Sequence, residues 1–233
     1  ANAIVCVSRR LQEELGARSP LAVKKLRLIY NGVDPEKFQP RSGDALKGEL
    51  GLAADTKIVI SIGNIRPAKG YPYLVDAVAD VVAQDPGVHF VIVGHQRKDL
   101  FSKLEAQVKQ AGVGGNIHFL GFRSDVQDLL CQADVFLLPS TSEGFSISTV
   151  EAMMAGIPVV ATRSGGPEEI LEHEKTGILI PVADSVAMSQ AVLHTVRGEI
   201  PEDMTVQARE RAKQSFSVRA MLDHYEALYQ ELV

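Results

Sequence analysis

The chain has 233 residues, a net charge of −5 (24 Lys plus Arg against 29 Asp plus Glu) and 45% hydrophobic residues. That balance argues against a reader of nucleic-acid backbones, and no apolar run approaches the roughly 20 residues that span a bilayer. The two cysteines, Cys6 and Cys131, leave no disulfide framework and no thiolate metal cage, and they fit a reducing compartment.

The length allows one large domain or two small ones at roughly 100–200 residues each. An apolar run, Ala3-Ile4-Val5-Cys6-Val7, opens the chain ahead of Ser8 and a charged helical stretch, with no basic signal-peptide head. A start in mid-strand reads as a segment of a longer protein. Residues 34–56 mix Pro, Gly and charge and read as a connector with one short helix near 44–50. Residues 57–62 form a β-branched strand ending at Gly63, and 88–93 form another ending at Gly94. Further strands are predicted at 116–120, 134–138, 157–161 and 177–181. Most are apolar on both faces, as a parallel sheet covered by helices requires. Helical patterns lie between them, near 71–83, 97–111, 124–132, 147–155 and 167–172. After the last strand come helices over 184–198, 201–215 and 218–232, the final one with Ala220, Leu222, Tyr225, Leu228, Tyr229 and Leu232 at roughly helical spacing. Alternation of this kind predicts an α/β fold with a doubly wound parallel sheet of about six strands and extra C-terminal helices. Ligands then belong at the C-terminal ends of the strands.

Three loops stand at those ends. Gly63-Asn64-Ile65-Arg66-Pro67-Ala68-Lys69-Gly70 puts two fixed cations just before a helix, a pattern that suits phosphate oxygens. It is neither a Walker loop nor Gly-x-Gly-x-x-Gly, and a solvated turn is the plainer reading. The second loop runs from Pro139 through Glu143-Gly144-Phe145-Ser146-Ile147-Ser148-Thr149 to Glu151, and it offers a helix start to a diphosphate and carboxylates to sugar hydroxyls. Ser140-x-x-Glu143 and Ser148-x-x-Glu151 also have capping-box spacing, so either glutamate could serve only as a cap. Gly144-x-Ser146-x-Ser148 nearly matches a hydrolase nucleophile elbow but lacks the last Gly, and Ser146 stands several residues past the strand end. The two glutamates also raise a glycosidase pair, which sequence spacing alone does not establish. The third loop, Ser164-Gly165-Gly166-Pro167-Glu168-Glu169, is a tight turn opening on a helix, either a ligand wall or nothing more. The six histidines show no metal-binding spacing. His95 follows a strand end and could reach a ligand, whereas His89 and His118 read as packed or edge positions.

Taken together, Asn31-Gly32-Val33-Asp34, the Gly63…Arg66-x-x-Lys69-Gly70 loop, Glu143-Gly144-Phe145…Glu151-Ala152-Met153 and Gly156-x-Pro158-Val159-Val160-Ala161 resemble retaining glycosyltransferases of the GT-B fold, the glycosyl transferases group 1. Gly165-Gly166-Pro167-Glu168 and Thr176-Gly177-x-Leu179 extend the likeness over almost the whole chain. The resemblance implies a Rossmann-like donor half. Residues 1–28 would be the end of an N-terminal domain and 29–233 the C-terminal domain that binds a nucleotide-diphosphate sugar. Arg66 and Lys69 would hold the diphosphate, with Glu143 as the third catalytic group on the transferred sugar, and Glu151 would take the ribose. Gly63, Gly121, Phe122, Gly144, Phe145, Ser146, Ile147, Ser148 and Thr149 would complete the donor site, with the Gly121-Phe122-Arg123 loop near the base. Such enzymes need no metal, cofactor or protein nucleophile. Their acceptor site lies in the other half, so this chain alone should bind nucleotide weakly and turn nothing over. Nucleic acid is not an expected partner, the location would be cytoplasmic, and a membrane surface would be met only through the other half. Two departures bear on the site. Ser146 replaces a frequent Gly and could crowd or hydrogen-bond the sugar, and Gln96 stands where many relatives have a second Gly after Gly94. A non-catalytic module of the same fold, an epimerase and a phosphorylase carrying pyridoxal phosphate are the other classes compatible with these motifs.

Overall fold

The computed structural model describes residues 2–38 and 45–232. Of the connector expected over 34–56, residues 39–44 lie outside the described residues. In chain order the elements are β1 (Ile4–Cys6), α1 (Arg9–Arg18), β2 (Leu26–Leu28), α2 (Ala45–Leu50), β3 (Lys57–Ile62), α3 (Tyr71–Gln84), β4 (Val88–Val93), α4 (Lys98–Ala111), β5 (Ile117–Gly121), α5 (Val126–Leu130), β6 (Val135–Leu138), α6 (Ile147–Ala155), β7 (Val159–Thr162), α7 (Gly166–Ile170), β8 (Ile178–Ile180), α8 (Ser185–Val196), α9 (Met204–Phe216) and α10 (Val218–Leu232).

The strands are buried on both faces because helices cover both. Side chains alternate across the sheet, and the core divides accordingly. Ile58, Ile60, Val91, Val93, Phe136 and Leu138 pack on one side with α6 and α9. Val59, Phe90, Ile92, Val135 and Leu137 pack on the other with α3, α4 and α8. In α3 the buried Tyr71, Leu74, Val75, Val78 and Val81 recur at three- and four-residue spacing, which lays one stripe on the sheet. Asp85 precedes Pro86 and leaves the helical region, so α3 stops there. Helices α4 and α6 end on the left-handed glycines Gly112 and Gly156.

Six strands form one sheet in the order β5-β4-β3-β6-β7-β8, every neighbouring pair parallel. The chain starts at β3, winds outward through β4 to β5, then returns to β3's other side at β6. The loops after β3 and β6 therefore leave in opposite directions and open a crevice between them, the place where doubly wound sheets take ligands.

The six predicted strands form, each within about two residues of its expected bounds. The sequence reading did not anticipate β2, three residues beside two lysines, which pairs in parallel with β1 as a separate two-stranded sheet. That sheet is tied to the rest through the Asn31–Asp34 stretch. Val33 donates to Phe216 O (2.8 Å) and Val218 donates to Val33 O (3.1 Å). A Cβ at Gly32 would stand 2.6 Å from Val218 Cα, so this stretch passes where only glycine fits. No helix among the described residues is long and apolar enough to cross a membrane.

Candidate functional site

The crevice is built by loops that hold one another. After β3, Gly63 donates to Val93 O (2.8 Å) and Ile65 to His95 O (2.9 Å), while His95 N–H donates to Asn64 Oδ1 (2.9 Å). Gly94 donates to Gly121 O (2.8 Å), which joins the loops after β4 and β5. Thr141 N–H donates to Ala68 O (2.8 Å) across the crevice floor. Gly70 has φ 66°, and a Cβ there would lie 1.9 Å from Pro139 O, so glycine is what allows the two loops to touch. Buried Tyr71 donates its hydroxyl to Gly63 O (2.7 Å), and burial pushes that hydroxyl above its ordinary range.

Within this frame Lys69 and Glu143, 74 positions apart, form an ion pair, with Lys69 Nζ 2.5 Å from Glu143 Oε1. Their side chains are 22% and 11% exposed, which shields the pair from full solvent screening. Ser140 Oγ donates to the same carboxylate oxygen at 2.6 Å. Glu143 is therefore no helix cap. Its backbone is clasped by the third loop: Glu143 N–H donates to Ser164 O (2.8 Å) and Gly166 N–H to Glu143 O (3.1 Å). A Cβ on Gly165 would meet Glu143 O at 2.7 Å, and one on Gly166 would meet Gly144 O at 2.8 Å. The double glycine exists to let that clasp close, a role distinct from the ligand wall and the bare helix start weighed for it.

Arg66 stands exposed at the start of the 3-10 turn Pro67–Lys69, and its side chain makes no ion pair or hydrogen bond among the described residues. Glu151 lies on α6 and is not a capping partner, because the N-cap is Ser146. Burial pushes the Glu151 carboxyl up to about 7, with Lys37 acting in the opposite direction.

Side chains in the 144–149 run divide sharply. Gly144 is exposed with open space where a Cβ would stand, so the protein itself does not demand glycine there. Phe145 turns inward, stacked on Tyr30 (5.5 Å) and edge-on to Phe216 (5.7 Å). Ser146, 3% exposed, accepts from Thr149 N–H (3.3 Å) and Thr149 Oγ1 (2.9 Å). The expectation that its hydroxyl would crowd or bond a sugar is thus corrected: it is a buried helix cap, and this also removes it as a hydrolase nucleophile. Thr149 is fully buried in the same cap. Ile147 is 45% exposed, and the amides of Ile147 and Ser148 make no hydrogen bond among the described residues. They are two of the free donors at the positive end of α6.

At the other end of the crevice, Phe122 is 64% exposed and stacks flat on His95, with centroids 4.6 Å apart at 11°. Gly121, at φ 66°, turns the chain there. Arg123 is held by Asp125 (2.6 Å) and Glu49 (2.6 Å). Sequence reasoning missed Tyr30 and Tyr71, and it named Glu169 only as the end of the third loop. Glu169 takes Tyr30 Oη (2.9 Å) together with the N–H groups of Arg9 (2.8 Å) and Arg10 (3.0 Å), and so seats the start of α1 beside the crevice. The run Gly165-Gly166-Pro167 marked that loop, but nothing local linked it to residues 9 and 10.

The chain is similar to known proteins in both sequence and fold. The family model for glycosyl transferases group 1 matches residues 43–215. The N-acetyl-alpha-D-glucosaminyl L-malate synthase of Bacillus anthracis is 29% identical over 211 residues, 90% of this chain and 55% of that protein. The D-inositol 3-phosphate glycosyltransferase of Saccharomonospora viridis is 31% identical over 217 residues, 88% of this chain and 50% of that protein. Anabaena Alr3699/HepE, crystallised in complex with UDP and glucose, superposes with a TM-score of 0.90 at 26% identity over 99% of this chain and 63% of its own. The chain spans about half the length of the curated relatives it matches.

Proposed function

Because this chain belongs to the glycosyl transferases group 1 family, we propose that its crevice binds a nucleotide-diphosphate sugar. The chain would be the C-terminal, donor-binding half of a retaining hexosyltransferase of the GT-B fold. The observation that carries the reading is the Lys69–Glu143 pair formed across the crevice near the open start of α6, with Arg66 three residues before Lys69 on the same loop.

Each group has a task. The diphosphate sits between Arg66, Lys69 and the amides of Ile147 and Ser148. Arg66 supplies a planar fork for phosphate oxygens and Lys69 a point charge, so the leaving group's growing negative charge is met by cations already in place. In this reading they also take the part a metal ion plays elsewhere, and nucleotide binding withstands chelators. The Lys69–Glu143 pair keeps both side chains oriented before the donor arrives. When the diphosphate draws on Lys69, the Glu143 carboxylate turns its lone pairs to the sugar hydroxyls. Gly144 leaves room for the sugar to approach the backbone. Glu151 accepts from the ribose, and the base lies toward the His95–Phe122 stack.

Residues 1–28 are read as the end of an N-terminal domain that carries the acceptor site, and this chain alone turns nothing over. Alr3699/HepE was also solved with UDP-glucose, which makes UDP the first probe. Calorimetric titration should show UDP binding that Arg66→Ala and Lys69→Ala each weaken by about tenfold or more, the loss of one charge-assisted contact. Titrations unchanged by both substitutions overturn the phosphate assignment.

A further inference from the structure

A second cavity lies behind the Arg66 loop, on the side of the sheet that carries α3 and α4. Its volume is about 360 Å³, within the range of small-molecule sites. Buried Ile65, Tyr71 and Leu104 form the floor, with Tyr73 and Leu100 half-buried at the sides. The walls are held in place independently of any ligand. Gln107 on α4 donates through Nε2 to Pro72 O (2.9 Å) and to Asp76 Oδ1 (2.7 Å), which locks α4 against the start of α3.

Two cations stand at the mouth, Arg66 from the loop and Lys103 from α4. Both are exposed, and neither side chain makes an ion pair or hydrogen bond among the described residues. The nearby carboxylate, Asp76, is already engaged by Gln107. An apolar chamber lined in part by aromatic side chains, with two positive charges unpaired within the described residues at its mouth, is complementary to one chemistry, an aromatic ring bearing an anionic group.

We infer that this cavity is a second ligand site, distinct from the crevice, for a small aromatic phosphate or carboxylate. The ring rests on Tyr73, Leu100 and Leu104, and the anion is held by Lys103 and Arg66. Lys69 and Glu143 face each other across the crevice and take no part. Under the function proposed above, Arg66 is shared between the two sites, so an occupant of the cavity weakens diphosphate binding, and by linkage the diphosphate weakens the occupant equally.

Phenyl phosphate titrated into isotope-labelled protein tests this by NMR. Saturable amide shifts are expected in residues 65–73 and 100–107. Inorganic phosphate, which lacks the ring, and phenol, which lacks the charge, should each bind about tenfold more weakly or worse. Lys103→Glu and Tyr73→Ala alter residues at the rim and side of the cavity, so the variants should fold, checked by unchanged thermal midpoints. Both should abolish saturation by phenyl phosphate. Lys103→Glu should leave UDP binding unchanged, whereas Arg66→Ala should weaken both ligands. Equal shifts from inorganic phosphate, indifference to Lys103→Glu, or shifts confined to 143–151 overturn the inference. A protein that binds phenyl phosphate in this way but not UDP retains the second site and loses the proposed function.

Discussion

Single residues in this protein are decided by what stands opposite them. Gly70 and Gly112 both have left-handed backbones, at φ 66° and 71°. A side chain in that region costs about 1–2 kcal/mol by itself. At Gly112 nothing lies within 4 Å of a new Cβ, so Gly112→Ala should lose about that much stability in denaturant titration. At Gly70 the Cβ would stand 1.9 Å from Pro139 O, so Gly70→Ala should lose distinctly more and should also disturb the Lys69–Glu143 pair. Glu151 shows the same dependence on surroundings. Its carboxyl is carried from an ordinary 4.5 to about 7 because the folded state disfavours its charge. The folded protein then holds a proton that the unfolded chain gives up between these values, so this group lowers stability as pH rises from about 4.5 to 7. The full cost above pH 7 is on the order of 3 kcal/mol. Glu151→Gln should remove that slope in thermal midpoints measured across pH 4–8. Because ribose hydroxyls donate to the ionised form, UDP should bind the parent more tightly as pH rises through about 7, and the substitution should flatten that profile as well.

Elements in this fold are joined by a few side chains rather than by broad faces at two places. The start of α1 rests on Glu169, whose carboxylate accepts from two backbone N–H groups and from Tyr30. A carboxylate at a helix start contributes typically about 1 kcal/mol. Glu169→Ala should therefore raise hydrogen exchange across residues 9–18 while the exchange of β3, β4 and β6 stays as before. Edge strand β5 is tied to β4 by a histidine pair, with His89 Nδ1 and His118 Nε2 2.9 Å apart and the rings stacked at 19°. One ring must donate and the other accept, so the contact fails when both are protonated. Burial lowers both pKa values below the ordinary 6.5, with each ring's charge also opposing the other in the case of His118. The unfolded chain then takes up protons that the folded state refuses, and stability falls as pH drops through about 6.5. His118→Gln should blunt that loss in the same pH series. Both links were invisible locally. His89 and His118 were legible as strand residues, but their pairing needs the register in which Val91 stands opposite His118.

At the scale of the whole molecule, a ligand that binds the folded chain stabilises it by mass action, about 2.7 kcal/mol at a hundred times its Kd. UDP should therefore raise the thermal midpoint of the parent more than that of Arg66→Ala, while Lys103→Glu should respond like the parent. The sequence by itself determined the strand–helix alternation, because apolar runs of four to six residues and stripes at helical spacing are local patterns set by the geometry of each element. It also marked the motif residues of the crevice, Arg66, Lys69, Glu143 and Glu151, because charges and glycines after a strand end are readable in one dimension. The tertiary structure alone decided which of them meet. It paired Lys69 with Glu143 across 74 positions, turned Phe145, Ser146 and Thr149 inward while leaving Gly144 open, and gave Gly165 and Gly166 their reason in the Glu143 backbone that passes against them. Contact, burial and register depend on elements distant in sequence, and a doubly wound sheet brings such elements together only once the winding has turned back from β5 to place β6 beside β3.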